Sequence, residues 1–145
     1  MTGPAVVVDT NVVVAGLLTA NATSPVARIL DGMLAAAFPF VVSEALLAEY
    51  RTVLVRPNLR KLHGLTVDEI ESILTDLAQH AIVSNPPRSA APPAPDPGDP
   101  LLWDLLAARA DLLLVTGDRL LLQDSDMQGR VIAPQAFAAA RKLGA

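Results

Sequence analysis

This sequence predicts an α/β fold built on a mainly parallel sheet, and two observations carry the prediction. Short apolar, largely β-branched runs alternate with amphipathic helical stretches, the order that places parallel strands between helices on both faces. The length of 145 residues suits a single domain, 1–145, able to bury a core without disulfides or a structural metal.

Five strands are expected, at residues 5–8, 39–42, 81–83, 112–116 and 130–132. Between the first two, Ser24 is an N-cap with Pro25 at the first helical position, and Val26, Ile29, Leu30 and Met33 follow at helical spacing. Ser43 can cap the next helix, whose Leu46, Leu47, Tyr50, Val53 and Leu54 form one stripe before Pro57 ends it. The sequence leaves room for a shorter helix over 57–63. Thr66 and Glu69 then form a capping box ahead of Ile70, Ile73, Leu74 and Leu77.

Residues 86–100 carry Pro86, Pro87, Pro92, Pro93, Pro95, Pro97 and Pro100, and read as an extended, stiff connector. It ends in Asp99-Pro100, a cap and first-turn proline for a helix through about Arg109, which leads into the fourth strand. Pro134 opens an Ala-rich C-terminal helix.

Composition excludes several chemistries. With no Cys, the chain has no disulfide framework, zinc–thiolate site or thiol nucleophile. It shows no charged start with an apolar signal core and no apolar run approaching the roughly 20 residues that cross a bilayer, so the expectation is a soluble, cytoplasmic protein with no membrane partner. A net charge of -4 argues against broad nonspecific nucleic-acid binding but is compatible with a phosphodiester hydrolase whose acids are concentrated at a metal site. The apolar content of 52% and mean hydropathy of +0.41 suggest surface reserved for a partner, a second copy or a bound regulator.

The candidate chemistry lies at strand ends. Val6-Val7-Val8-Asp9-Thr10-Asn11 puts a carboxylate and an amide where a buried strand stops, and Thr116-Gly117-Asp118 follows the fourth strand. If those strands are neighbours, Asp9 and Asp118 open onto one crevice at the carboxyl edge of the sheet. Acids without His or Cys nearby suit a hard cation, Mg²⁺ or Mn²⁺, which can make water nucleophilic and stabilise a leaving oxygen.

Four segments in order, Val6 to Asn11, Val42 to Tyr50 with Arg56-Pro57, Asp96-Pro97-Gly98-Asp99, and Leu114 to Asp118, resemble the PIN-domain family of metal-dependent ribonucleases, which includes the VapC-type toxins of bacterial toxin–antitoxin systems. The resemblance runs nearly end to end. It implies a three-layer α/β/α sandwich around a central, mainly parallel five-stranded sheet, and hydrolysis of RNA phosphodiesters. It further implies that Asp9, Glu49, Asp99 and Asp118 surround one or two Mg²⁺ or Mn²⁺ ions, with Asn11, Thr116 and the alternative acid Asp96 in support. Its implied partners are an RNA substrate, single-stranded or structured, and a cognate antitoxin covering the acidic groove. On a wheel of about 100° per residue, Glu44 and Glu49 flank the apolar stripe on opposite edges, so the choice of Glu49 rests on the family pattern. Gly98 and Pro100 depart from the family's usual acid-rich run, which lowers the charge beside Asp99 and leaves the number of ions open.

Each candidate also has a purely structural reading. Asp9, Asp99 and Asp118 all stand where helices are capped, Glu44 and Glu49 suit a solvated helix face, and Asn11 and Thr116 can satisfy local backbone. Arg51, Arg56, Arg60 and Lys61, with His63, are the notable positive cluster, able to steer an RNA backbone or to be an ordinary helix end. His63 and His80 have no catalytic partner at motif spacing, while Tyr50 and Trp103 sit at core spacing. Two rival functions are a catalytically silent PIN-like binding module and an aspartyl-phosphate phosphotransfer domain. The second is disfavoured because position 11 is Asn rather than Asp and no Lys lies in or just after the fifth strand.

Overall fold

Three valines begin the fold. In the computed structural model, which describes residues 4–86, 100–123 and 129–143, Val6–Val8 form β1 with all three side chains buried. A strand enclosed on both faces has no use for polar alternation, hence the unbroken run.

The chain turns at once into a helix, α1 (Thr10–Leu18), that the sequence reading leaves out. Its Val12-Val13-Val14 run favours a strand by propensity, and no side chain caps its start. Packing overrides that preference: Val12 and Val13 enter the core, and Gly16 lets the next helix, α2 (Pro25–Leu34), lie close. A Cβ at Gly16 would stand 2.8 Å from the Val26 carbonyl oxygen and 3.0 Å from the Leu30 Cβ.

The other helices start and stop where local chemistry dictates. Ser24 accepts from the Ala27 N–H ahead of α2, and Ser43 accepts from Leu46 N–H at 3.0 Å to start α3 (Glu44–Leu54) after β2 (Val41–Val42). A separate α4 (Pro57–His63) fills the span the sequence leaves open and stops at Gly64, whose φ of 71° is the left-handed cap that glycine adopts without strain. The reciprocal Thr66–Glu69 capping box opens α5 (Val67–His80). Then come β3 (Ile82–Val83), α6 (Pro100–Ala108), β4 (Leu113–Val115), α7 (Arg119–Leu122), β5 (Val131–Ile132) and α8 (Pro134–Ala140). Most of the proline-rich connector, Pro87 to Asp99 with Asp96 and Gly98, lies outside the described residues.

Among the described residues all strand pairings are parallel, as expected, but the five strands divide into two sheets rather than one continuous ladder. One sheet has the order β1-β4-β5 and the other pairs β2 with β3; a parallel bridge, Val6 to Phe40, joins them. Tyr50 supplies a physical reason for the interruption. Its buried hydroxyl donates to the Val8 carbonyl, occupying an acceptor that a longer β1–β2 ladder would use. The register between β1 and β4 sets Val8 opposite Val115, and the Asp9 N–H donates to the Val115 carbonyl at 2.9 Å. Asp9 and Thr116 therefore emerge side by side from neighbouring strands.

Helix α1 packs on α2 and α3, α5 packs on both α2 and α3, and α6 lies against β4 and α3. Tyr50 and Trp103 are both buried, as their helical spacing predicts. Among the described residues no helix is long and apolar enough to cross a membrane.

Candidate active site

The carboxyl ends of β1 and β4 adjoin, so the crevice that the sequence makes conditional on their adjacency does form. A cleft of about 470 Å³ lies there, lined by Asp9, Thr10, Asn11, Glu49 and Asp118 together with Val14, Ala15, Leu18 and Val53. Three of the four acids implied by the resemblance thus share one opening. The fourth, Asp99, and its alternative Asp96 lie outside the described residues.

Asp9 occupies the N-cap position of α1 without using its side chain as a cap. Its carboxylate instead accepts from the Thr116 hydroxyl at 2.8 Å and from the Asn11 amide at 3.3 Å. Asn11 is itself anchored, since its side-chain oxygen accepts from the Gly117 N–H at 3.1 Å. Thr116, fully buried, also accepts from the Asp118 N–H at 3.0 Å, so one hydroxyl links the two strand-end acids. Asn11 and Thr116 thus both hold the Asp9 carboxylate by hydrogen bonds.

Asp118 differs. Its side chain caps α7 by accepting from the Leu120 N–H at 2.9 Å, so the capping reading holds while the residue still lines the cleft.

Glu49 and Glu44 separate clearly. Glu49 is half-buried in the cleft, and the Thr10 hydroxyl donates to its carboxylate. Glu44 is exposed at the start of α3, where its backbone N–H donates to the Asn85 side chain, and it lines a different, smaller depression with Asn85 and Asp104. The sequence reading misses Thr10, although its hydroxyl stands between the two motif residues Asp9 and Asn11. That position was the available signal.

The electrostatics of the cleft are those of crowded negative charge. Burial pushes the Asp9 carboxyl above its ordinary range, the Thr116 hydroxyl pulls it back, and the charges of Glu49 and Asp118 push it up again. Tyr50, fully buried, has its phenol raised by burial and by the charges of Asp9 and Glu49, so it remains a proton donor. Among the described residues no group of three His, Cys, Asp or Glu side chains is close enough to hold a metal ion together. The donor chemistry nonetheless suits a hard divalent cation: the acids offer only oxygen, and a cation would offset the burial, and the lesser repulsion from Glu49 and Asp118, that raise Asp9.

Of the basic cluster, Arg51 pairs with Glu71 on α5. Arg56, Arg60 and Lys61 are exposed at and along α4, which packs against α1 and α3. His63 is used structurally, with one ring nitrogen bonded to the Leu54 carbonyl at 2.9 Å and the other accepting from the Leu65 N–H at 3.0 Å.

The chain matches no curated protein. A family model described as "PIN domain" matches residues 5–120, from the start of β1 into α7 and across every acid considered above.

Proposed function

Because the chain belongs to the PIN-domain family, a nuclease fold, we propose that it is a Mg²⁺- or Mn²⁺-dependent endoribonuclease acting through Asp9, Glu49, Asp118 and Asp99. The observation that supports this reading best is the convergence of Asp9, Glu49 and Asp118 on one cleft from three separate elements. In this reading those carboxylates would hold the ion, which would supply activation of a water and stabilisation of the leaving oxygen. The protein's own groups orient the acids: Thr116 and Asn11 fix Asp9, and Thr10 fixes Glu49. Arg56, Arg60 and Lys61 would hold the RNA backbone by charge, with Arg51 contributing when freed from Glu71.

The physiological setting in this reading is that of a VapC-like toxin. A cognate antitoxin covers the acidic groove, and a second copy of the chain covers exposed apolar side chains such as Leu62 and Leu120.

The experiment is cleavage of a panel of RNAs with Mg²⁺ or Mn²⁺ by the wild type and by Asp9→Asn and Asp118→Asn variants. Cleavage that needs the divalent ion and is lost in both folded variants is the expected result. A wild type that binds no divalent ion and cleaves nothing ends the proposal. A second reading is a catalytically silent PIN-like module, for which a folded wild type cleaves nothing.

A further inference from the structure

One peptide unit is held between α3, which carries Glu49, and β4, which leads to Asp118. The carbonyl of the Val8–Asp9 peptide accepts from the Tyr50 hydroxyl on α3, and its N–H donates to the Val115 carbonyl at the end of β4. A peptide unit is planar, so holding both of its polar ends fixes the plane from which the Asp9 side chain departs. Tyr50 follows Glu49 directly on α3, and their Cα atoms are therefore about 3.8 Å apart. The hydroxyl thus ties the backbone at one acid to the backbone at the next. A second tie runs on the other side of Asp9, where the Thr10 hydroxyl donates to the Glu49 carboxylate. Val8 and Thr10 flank Asp9, and the dipeptide Glu49-Tyr50 grips both.

Tyr50 is fully buried. Its ring fills space that a phenylalanine would fill as well, and its hydroxyl gives a buried carbonyl the donor it needs. Neither demand requires that donor to come from the residue next to Glu49. Leu46 and Leu54 hold α3 against the core, but apolar burial is non-directional and leaves the helix free to roll slightly against β1. A hydrogen bond is directional. Resting on the metal-dependent nuclease reading above, we infer that Tyr50 is a positioning residue whose hydroxyl sets the separation of the Asp9 and Glu49 carboxylates for a shared divalent cation. Such an ion takes oxygen ligands at about 2.0–2.6 Å, so a small roll of α3 withdraws Glu49 while Asp9, held by Thr116 and Asn11, stays in place. The hydroxyl touches neither ion nor substrate and acts through the Val8–Asp9 peptide.

The test is Mn²⁺ affinity, read by the electron paramagnetic resonance of the free ion, in the wild type, Tyr50→Phe and Phe137→Leu, each checked for folding by its denaturant midpoint. Phe137 packs edge-on against Phe38 from α8, so its variant weakens the core at another place. Tyr50→Phe should bind Mn²⁺ roughly tenfold more weakly than the wild type, and Phe137→Leu within about twofold of it despite a lower midpoint. Because Tyr50 is the one tyrosine of the chain, 3-fluorotyrosine incorporated in place of tyrosine labels it alone and keeps the hydroxyl. That protein should bind Mn²⁺ as the wild type does, and its fluorine resonance should move as diamagnetic Mg²⁺ is added. Unchanged affinity in Tyr50→Phe, an equal loss in Phe137→Leu, a fluorine resonance that ignores Mg²⁺, or a wild type that binds no Mn²⁺ overturns the assignment. If Tyr50→Phe does not fold, the fluorine resonance decides. A wild type that shows the expected affinities but cleaves no RNA ends the nuclease reading and leaves the role of Tyr50 standing.

Discussion

The Thr116 hydroxyl donates to the Asp9 carboxylate at 2.8 Å across 107 positions of sequence. This one contact joins the ends of β1 and β4 and holds a buried acid that burial and two neighbouring charges would otherwise drive towards protonation. Removing that charge is therefore expected to stabilise the fold.

Asp9→Asn retains an acceptor for Thr116 and loses the buried charge. Because burial holds the folded Asp9 carboxyl above its ordinary value of 3.8, the folded protein binds this proton more tightly than the unfolded chain. The stability it contributes is present below pH 3.8 and is lost as pH rises through the folded value. The Asn variant should match the wild type in acid, exceed it in Tm at neutral pH, and cleave no RNA. Thermal melts of both proteins from pH 3 to pH 7 in metal-free buffer measure this. A variant less stable than the wild type at pH 7 contradicts it.

Added Mg²⁺ or Mn²⁺ should raise the melting temperature of the wild type more than that of Asp9→Asn, since an ion bound only by the folded state stabilises it by mass action. Identical shifts in the two proteins would place the ion elsewhere.

Glu49 and Glu44 can be told apart by charge removal. Glu49→Gln should lower RNA cleavage by about a hundredfold, whereas Glu44→Gln, on a different depression, should leave it within about twofold. The reverse ranking would reassign the helical acid.

Thr10 is a positioning residue. Thr10→Val leaves Glu49 without its donor and should reduce kcat by about tenfold, and Thr10→Ser should restore it because the hydroxyl returns. If Val and Ser variants behave alike, the hydroxyl has no part in orienting Glu49.

Two packing predictions concern the frame beneath the site. Tyr50→Phe strips the Val8 carbonyl of its donor inside the core and should cost about 1–3 kcal/mol in denaturant melts. Gly16→Ala forces a Cβ against the Val26 carbonyl and should cost about 1–3 kcal/mol by separating α1 from α2. An unchanged midpoint in either variant would show that the contact relaxes freely.

Local chemistry made most elements legible. All five strands fall within the expected runs, and Ser24, Ser43 and the Thr66–Glu69 box start their helices as their side chains predict, because caps and turns act over three or four residues. Helix α1 escaped for the opposite reason. Its valines favour a strand locally, and only contact with α2, α3 and the core makes that segment helical.

The sequence by itself determined the acidic strand ends, the order of the elements and the family pattern that favours Glu49. Tertiary structure alone decided that β1 and β4 are neighbours, that the β1–β2 ladder stops where Tyr50 takes the Val8 carbonyl, and that Thr10 belongs to Glu49. The physical reason is range. Capping and periodicity are written in neighbouring residues, whereas the field around Asp9 is summed over side chains that meet only when the chain has folded.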